Sequence, residues 1–266
     1  MPESTPSRTI ALTGATGFVG GHILRQLLTR GHSVRALTRQ PPFPAEPHQQ
    51  PVHWVHGNLA NPDALQDLTD GADAVIHCAG LIKASRTEHF FDANEQAVAN
   101  LLKAVSGHGG KRPDFLLISS LAAREPHLSP YAASKAAGER VLRKSDAGVD
   151  WTILRPPAVY GPGDFEILKL FRSLRFGIGL VPGGRASRVS VIYVEDLSRL
   201  ACDWAEQPML RGETLEADDG APEGYRVADI YTEAARLLNR NVRLLKAPSP
   251  LLTMAAQINT AMARLS

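Results

Sequence analysis

The sequence predicts an α/β fold: a parallel, doubly wound sheet with helices on both faces and a small C-terminal lobe. Two patterns predict it. Short apolar runs alternate with helical periods along roughly the first 155 residues, the order expected of strands feeding crossover helices. A turn containing Gly14, Gly17 and Gly20 joins the first apolar run to the first helical stretch, which is where sheets of this kind accept phosphate groups.

Strands are predicted near 8–13, 33–38, 52–56, 73–78, 114–119 and 150–154. Each is short and mostly apolar, as burial on both faces requires, and right-handed crossovers between them make the sheet doubly wound. The clearest helices span 19–30, 87–106 and 130–144, with Gly31, Gly107 and Gly148 as stop signals. Residues 40–51 carry five prolines and read as an irregular loop. A second break comes at 155–163, and the regular alternation lapses through 164–188. A returning strand at 189–194 follows, then a helix from Asp196 to about 206, a strand at 213–217, a helix at 226–239, a strand at 242–246 and an apolar helix near 249–264. Residues 1–156 and 189–217 are assigned to the main domain, and 157–188 with 218–266 to a substrate-binding lobe.

Composition narrows the function classes. A net charge of +2, from 29 basic and 27 acidic residues, provides no basic stripe for nucleic acid. Cys78 and Cys202 are the two cysteines, each in an apolar setting, so a disulfide framework is not expected and a reducing compartment is. No stretch reaches the length of a membrane span and the first residues lack a leader pattern, so a cytoplasmic location is expected. The reading calls for no metal.

Within the glycine turn, Gly14 permits the tight bend, Gly17 lets backbone N–H groups approach a pyrophosphate, and Gly20 allows close strand–helix packing. Thr16, Phe18 and Val19 line the same helix start. The second strand ends Ala36-Leu37-Thr38-Arg39. With no carboxylate there to read a ribose 2′-hydroxyl, and a guanidinium suited to a phosphate, NADP is expected in preference to NAD. Asn58 and Leu59 follow the third strand, where Asn58 could touch adenine or serve as a turn residue. Ala79 and Gly80 end the fourth strand and are small enough for a cofactor to pass closely. His77 before them reads either as a satisfied core histidine or as a reactive group.

Tyr131 and Lys135 are four apart on a predicted helix, so both project from one face. An ammonium beside a phenol stabilises phenolate and is expected to lower the tyrosine pKa from about 10. That would make Tyr131 a general acid/base. Ser119 and Ser120 end the fifth strand, where a hydroxyl could hold a substrate oxygen. A phosphate-binding turn followed by an activated phenol is what hydride transfer between a nicotinamide and an alcohol or carbonyl requires, and the chain is read as an enzyme.

Four pieces in order resemble the extended branch of the short-chain dehydrogenase/reductase superfamily: residues 13–20, Ser119-Ser120, Tyr131 with Lys135, and Leu154-Arg155-Pro156-Pro157-Ala158-Val159-Tyr160-Gly161-Pro162. The resemblance implies a Rossmann domain, with Tyr131 as acid/base and Lys135 on the nicotinamide ribose, lowering the tyrosine pKa. Ser120 would orient the substrate oxygen, with Ser119 as the fallback. Asn94 would order active-site water or backbone, and Pro156 and Val159 would border the cofactor. Leu121 and Ala122 stand where dehydratases of this branch carry an acidic pair. Arg188 falls one position away from the arginine that nucleotide-sugar epimerases use.

An NADP(H)-dependent oxidoreductase acting on a small, apolar hydroxyl or carbonyl compound is therefore expected, by likeness to the 3β-hydroxysteroid dehydrogenase and dihydroflavonol reductase groups. The alternatives are a nucleotide-sugar epimerase with tightly bound NAD and a non-catalytic NADPH-binding sensor or assembly protein. Helices 87–106 and 130–144 are the ones through which related proteins pair, which makes a homodimer the expected assembly.

Overall fold

The computed structural model describes residues 6–40, 52–108, 110–182, 186–208 and 210–247. The predicted helix near 249–264 and most of the proline-rich loop lie outside these residues. The chain begins with β1 (Thr9–Thr13), α1 (Phe18–Thr29), β2 (Ser33–Thr38), β3 (His53–His56), α2 (Pro62–Thr69) and β4 (Ala74–His77). A helical segment follows, α3 (Thr87–Phe91), a π-helical turn (Asp92–Gln96) and α4 (Ala97–Gly107), and then β5 (Asp114–Ile118). Two short 3₁₀ turns lead into α5 (Pro130–Arg143), β6 (Trp151–Arg155) and β7 (Ala158–Tyr160). Next come α6 (Phe165–Arg172), a 3₁₀ turn (Ser173–Phe176), β8 (Ile178–Pro182), β9 (Arg188–Val189), β10 (Val191–Tyr193) and α7 (Val194–Glu206). The described chain ends with β11 (Glu213–Glu216), β12 (Tyr225–Arg226), α8 (Val227–Leu237) and β13 (Arg243–Ala247).

Seven strands form one sheet in the order β11-β6-β5-β4-β1-β2-β3, every pairing parallel. The strand order reverses between β1 and β4, and the carboxyl edge there, with Thr13 in register with His77, is the crevice where such sheets bind ligands. The sheet is sandwiched as the period-2 alternation of its strands dictates. Ile10, Leu12, Leu116 and Ile118 face one layer with Ile23, Leu27, Leu197 and Trp204. Ala11, Val75, Phe115 and Leu117 face the other with Leu65, Leu68, Val98 and Leu101.

Three expectations change. The helix predicted to run unbroken from 87 to 106 contains the π turn, which is held in place by packing: a Cβ on Gly138 of α5 would overlap the Asn94 carbonyl oxygen. The strand predicted at 189–194 divides around Ser190, with β9 antiparallel to β12 and β10 parallel to β7. The stretch predicted to lack regular structure contains β7, α6 and β8. Asp164 starts α6 by accepting from the backbone N–H of Glu166 (2.8 Å) and Ile167 (3.2 Å). Leu174, Val181, Ala228 and Tyr231 form a separate small core beneath α6, β8 and α8.

Phe115 is fully buried in the α2/α4 layer. Phe115→Ala is expected to cost about 3–5 kcal/mol through lost transfer energy and a residual cavity. A denaturant titration checks this as a lowered midpoint at unchanged slope.

Candidate active site

The glycine turn is held against the end of β4 by backbone proximity. Gly14 has φ +78°, and a Cβ on it would lie 2.7 Å from the Ala79 nitrogen. Gly17 N–H donates to the Gly14 carbonyl at 2.9 Å, and a Cβ on Gly20 would overlap that same oxygen. Thr13 completes the join: its Oγ1 lies 2.7 Å from His77 Nδ1 and accepts from Ala79 N–H at 3.2 Å. His77 is buried, and desolvation, with Lys135 adding to it, lowers its pKa to about 3, so it is a neutral core histidine.

Helix α1 starts with Gly17 as its N-cap, and no side chain caps it and no acid stands in its first turn. Thr16 and Gly17 are exposed, Phe18 stands edge-on to His22, and Val19 packs on the core. Open N–H groups and the positive end of the helix dipole make this start suited to a pyrophosphate. Arg39 is exposed at the end of β2 and makes no side-chain bond among the described residues. Asn58 is exposed and forms a turn, its Oδ1 accepting from Ala60 N–H at 2.8 Å. The Leu59 carbonyl accepts from Asn100 Nδ2 at 2.8 Å.

The structure brings Asn94, Gly80, Lys135, Ser120 and Tyr131 together. From the π turn, buried Asn94 donates to the Leu81 carbonyl (3.1 Å) and Ser134 Oγ (3.0 Å) and accepts from Leu81 N–H (3.1 Å), which fixes the loop after β4. A Cβ on Gly80 would lie 2.7 Å from Asn94 Oδ1 and 3.1 Å from Lys135 Nζ, so no larger residue fits without movement. Lys135 is buried and donates to the Ile118 carbonyl at 3.0 Å. The Tyr131 hydroxyl faces Ser120, and its ring stands edge-on to Phe90, centroids 6.4 Å apart. Ser119 is separated from this group: its hydroxyl donates to Glu139 Oε1 at 2.6 Å.

The Tyr131 pKa differs from expectation. Burial raises it above the ordinary phenol value, and the Ser120 hydrogen bond only partly opposes this. Lys135 is not among the causes of this shift; its ammonium donates to the Ile118 carbonyl and is itself desolvated. Its pKa falls to about 8 through burial, against the favourable influence of Cys78 and Glu139. In this structure the tyrosine is a protonated acid at neutral pH.

Sequence reasoning missed Glu139. It is fully buried and accepts from Ser119, Arg155 Nε (2.8 Å), Arg155 Nη2 (2.6 Å) and Arg143 Nη2 (2.9 Å). The two cations and the Ser119 hydroxyl outweigh desolvation and hold its carboxyl below the usual range. Its spacing, four residues after Lys135 on the same helix, was the available signal. Pro156 is buried, its carbonyl accepting from Leu121 N–H at 2.8 Å, and Val159 of β7 packs on the sheet core. Arg188 is occupied at 3.0 and 3.1 Å by the carbonyls of Glu223 and Gly224 and at 2.9 Å by the Glu223 carboxylate.

Residues 10–211 match the model of the NAD dependent epimerase/dehydratase family. The chain belongs to that family. Over 251 residues it is 39% identical to a ceramide reductase of Caulobacter vibrioides, covering 94% of this chain and 77% of the relative. It is 31% identical to a 2-alkyl-3-oxoalkanoate reductase of Stenotrophomonas maltophilia, covering 70% of this chain and 62% of the relative, so it spans less than two thirds of that protein. In structure it is similar to the Bordetella bronchiseptica enzyme WbmH, solved with NAD⁺, at TM-score 0.74 and 21% identity, covering 91% of this chain and 88% of that one. That likeness concerns the fold. The chain is an NAD(P)-dependent oxidoreductase of the extended short-chain dehydrogenase/reductase type.

Among the described residues no helix is long and apolar enough to cross a membrane. The buried ammonium of Lys135 has a stability consequence. Its folded pKa of about 8 lies below the ordinary 10.5, so the unfolded chain holds the proton more tightly. The cost is full below pH 8 and fades as pH rises from 8 to 10.5. Lys135→Met is expected to stabilise the fold by about 1–2 kcal/mol at neutral pH while abolishing turnover. Thermal melts across that range should show the advantage over wild type shrinking as pH rises.

Proposed function

We propose that this protein is an NADPH-dependent reductase that converts a ketone on a long-chain, lipid-like substrate to the alcohol. The observation that carries the reading is the half-buried Tyr131 phenol, which desolvation holds above its ordinary pKa and which faces Ser120 one helical turn from buried Lys135. A phenol held above its ordinary pKa gives up a proton readily only to an oxygen whose basicity is rising, as a carbonyl's does on reduction. One of the similar reductases above is named for ceramide, and the other for a 2-alkyl-3-oxoalkanoate.

The residues divide the work. Gly14, Gly17 and Gly20, with the open start of α1, would hold the dinucleotide's pyrophosphate, and Ala79 and Gly80 leave room for its nicotinamide half beside Lys135. When bound, NADPH supplies the hydride. Ser120 Oγ, adjacent to Tyr131, holds and orients the substrate oxygen, and Tyr131 Oη delivers the proton to it. Lys135 stands beside Gly80, where its ammonium can bond a ribose hydroxyl and favour the phenolate left behind. Ser119 is a positioning residue, because its hydroxyl is occupied by Glu139. Exposed Arg39, with no carboxylate at the end of β2, supports NADP over NAD. Occupation of Arg188 by residues 223–224 and the apolar Leu121-Ala122 step both weigh against a nucleotide-sugar substrate. The segments 157–188 and 218–266 are assigned to the lobe that covers the substrate.

Purified protein is expected to oxidise NADPH with long-chain ketones, and Tyr131→Phe to lower kcat by about 10³-fold with nearly unchanged cofactor affinity. Retention of most activity in that variant would remove the assignment. Arg39→Ala is expected to raise the KM for NADPH about tenfold or more and leave that for NADH unchanged, since it deletes a charge-assisted contact to a phosphate. Equal effects on both would return the preference to NAD.

A further inference from the structure

From the lobe surface we infer that α6 and the turn after it form a docking face for a bilayer bearing anionic headgroups, set beside the entrance to the active site. Residues 165, 168 and 172 fall on one side of α6 by helical spacing. Phe165 is 69% exposed, Leu168 is 42% exposed, and Arg172 is exposed. In the following turn Phe176 is 68% exposed, with the Arg175 guanidinium 4.5 Å above its ring. Ile178 at the start of β8 extends the patch. In the turn after α6, Leu174 points the other way, into the small lobe core, while Phe165, Leu168 and Phe176 stay outside it.

Contiguous large apolar side chains at a surface mark an interaction site, and aromatic residues interleaved with cations on an amphipathic helix match the interfacial region of a membrane. Charge selects this partner. Arg172 and Arg175 face solvent, and Glu166, the acid in this helix, is neutralised by an ion pair with Lys83. An anionic leaflet complements what remains. The same ion pair ties the patch to the chemistry. Lys83 is three residues after Gly80, at most about 11 Å along the chain, and Gly80 lies against Lys135. Ile82, between them, is 60% exposed. A lipid leaving the bilayer at this face would thus enter next to the catalytic pair. That consequence rests on the lipid-ketone reading; the binding itself does not.

The test is co-sedimentation of the full chain with vesicles of phosphatidylcholine alone and of phosphatidylcholine mixed with phosphatidylglycerol. Two double variants are compared, Phe165→Ser with Phe176→Ser and Arg172→Glu with Arg175→Glu. Wild type should bind the mixed vesicles and release them as salt is raised. Each variant should partition at least tenfold more weakly, since two lost contacts of about 1 kcal/mol each already imply more than that. Both should keep wild-type NADPH oxidation with a short, water-soluble ketone. Equal binding by wild type and both variants, or no binding by wild type, overturns the inference. So does concentration-dependent self-association that both variants abolish, which would make the face an interface between copies. Vesicle binding without reduction of any long-chain ketone would leave this inference standing and remove the proposed substrate class.

Discussion

A carboxylate with no access to water is the fixed point around which this site is built. Glu139 accepts hydrogen bonds from Ser119, Arg155 and Arg143, and these join the end of β5, the middle of α5 and the end of β6. Burying such a charge is tolerable only when every partner stays in place, since losing one leaves an ion in a medium that cannot solvate it. The geometry is therefore stiff, and it continues into the chemistry within a residue or a turn. Ser119 precedes Ser120, Arg155 precedes Pro156, and Glu139 lies one helical turn from Lys135 and two from Tyr131. No member of this network is proposed to react, yet displacement of any of them would move a residue that is.

A second buried contact registers the other wall. The close approach of Gly138 to the π turn lets Asn94 point inward and hold the Leu81 backbone, which places Gly80 against Lys135. Dehydration then sets the charge state. His77 is neutral, Tyr131 keeps its proton, and Lys135 is held near its titration point. One desolvated cation near a protonated phenol is a different starting point from a phenolate stabilised in advance. It suits the proton donation that the proposed ketone reduction requires.

The sheet was legible because its cause is local. Ile10 and Leu12 on one side of Ala11, or Leu116 and Ile118 on one side of Leu117, are a period-2 pattern that only a strand satisfies. The glycines were legible because Gly14 and Gly20 sit where backbone meets backbone. The π turn was not, since it comes from a contact with Gly138 far along the chain. The Tyr131 shift was misread for a related reason. Sequence spacing brings a lysine to the same helix face, but it cannot reveal that the ammonium points at the Ile118 carbonyl or how much water is excluded. Helix α6 carried a readable signal in Asp164 before an amphipathic stretch, which the glycines and prolines around it obscured.

Buried core is unevenly distributed along the molecule, and the unevenness fits the proposed division of labour. The sheet is packed on both faces by large buried clusters, whereas the lobe over the site rests on a core of a few residues around Leu174 and Tyr231. Its link to the loop after β4 is the exposed Lys83–Glu166 pair, and exposed pairs of this kind contribute only about 0–1 kcal/mol. Local opening falls where few apolar contacts must be broken. Tyr131, Ser120 and Lys135 are therefore held by the deep part of the fold, while the lobe proposed to cover the substrate belongs to the part with the smaller core. Under the proposed reading, a bulky apolar substrate could then be admitted without disturbing the network around Glu139 on the same helix as Tyr131.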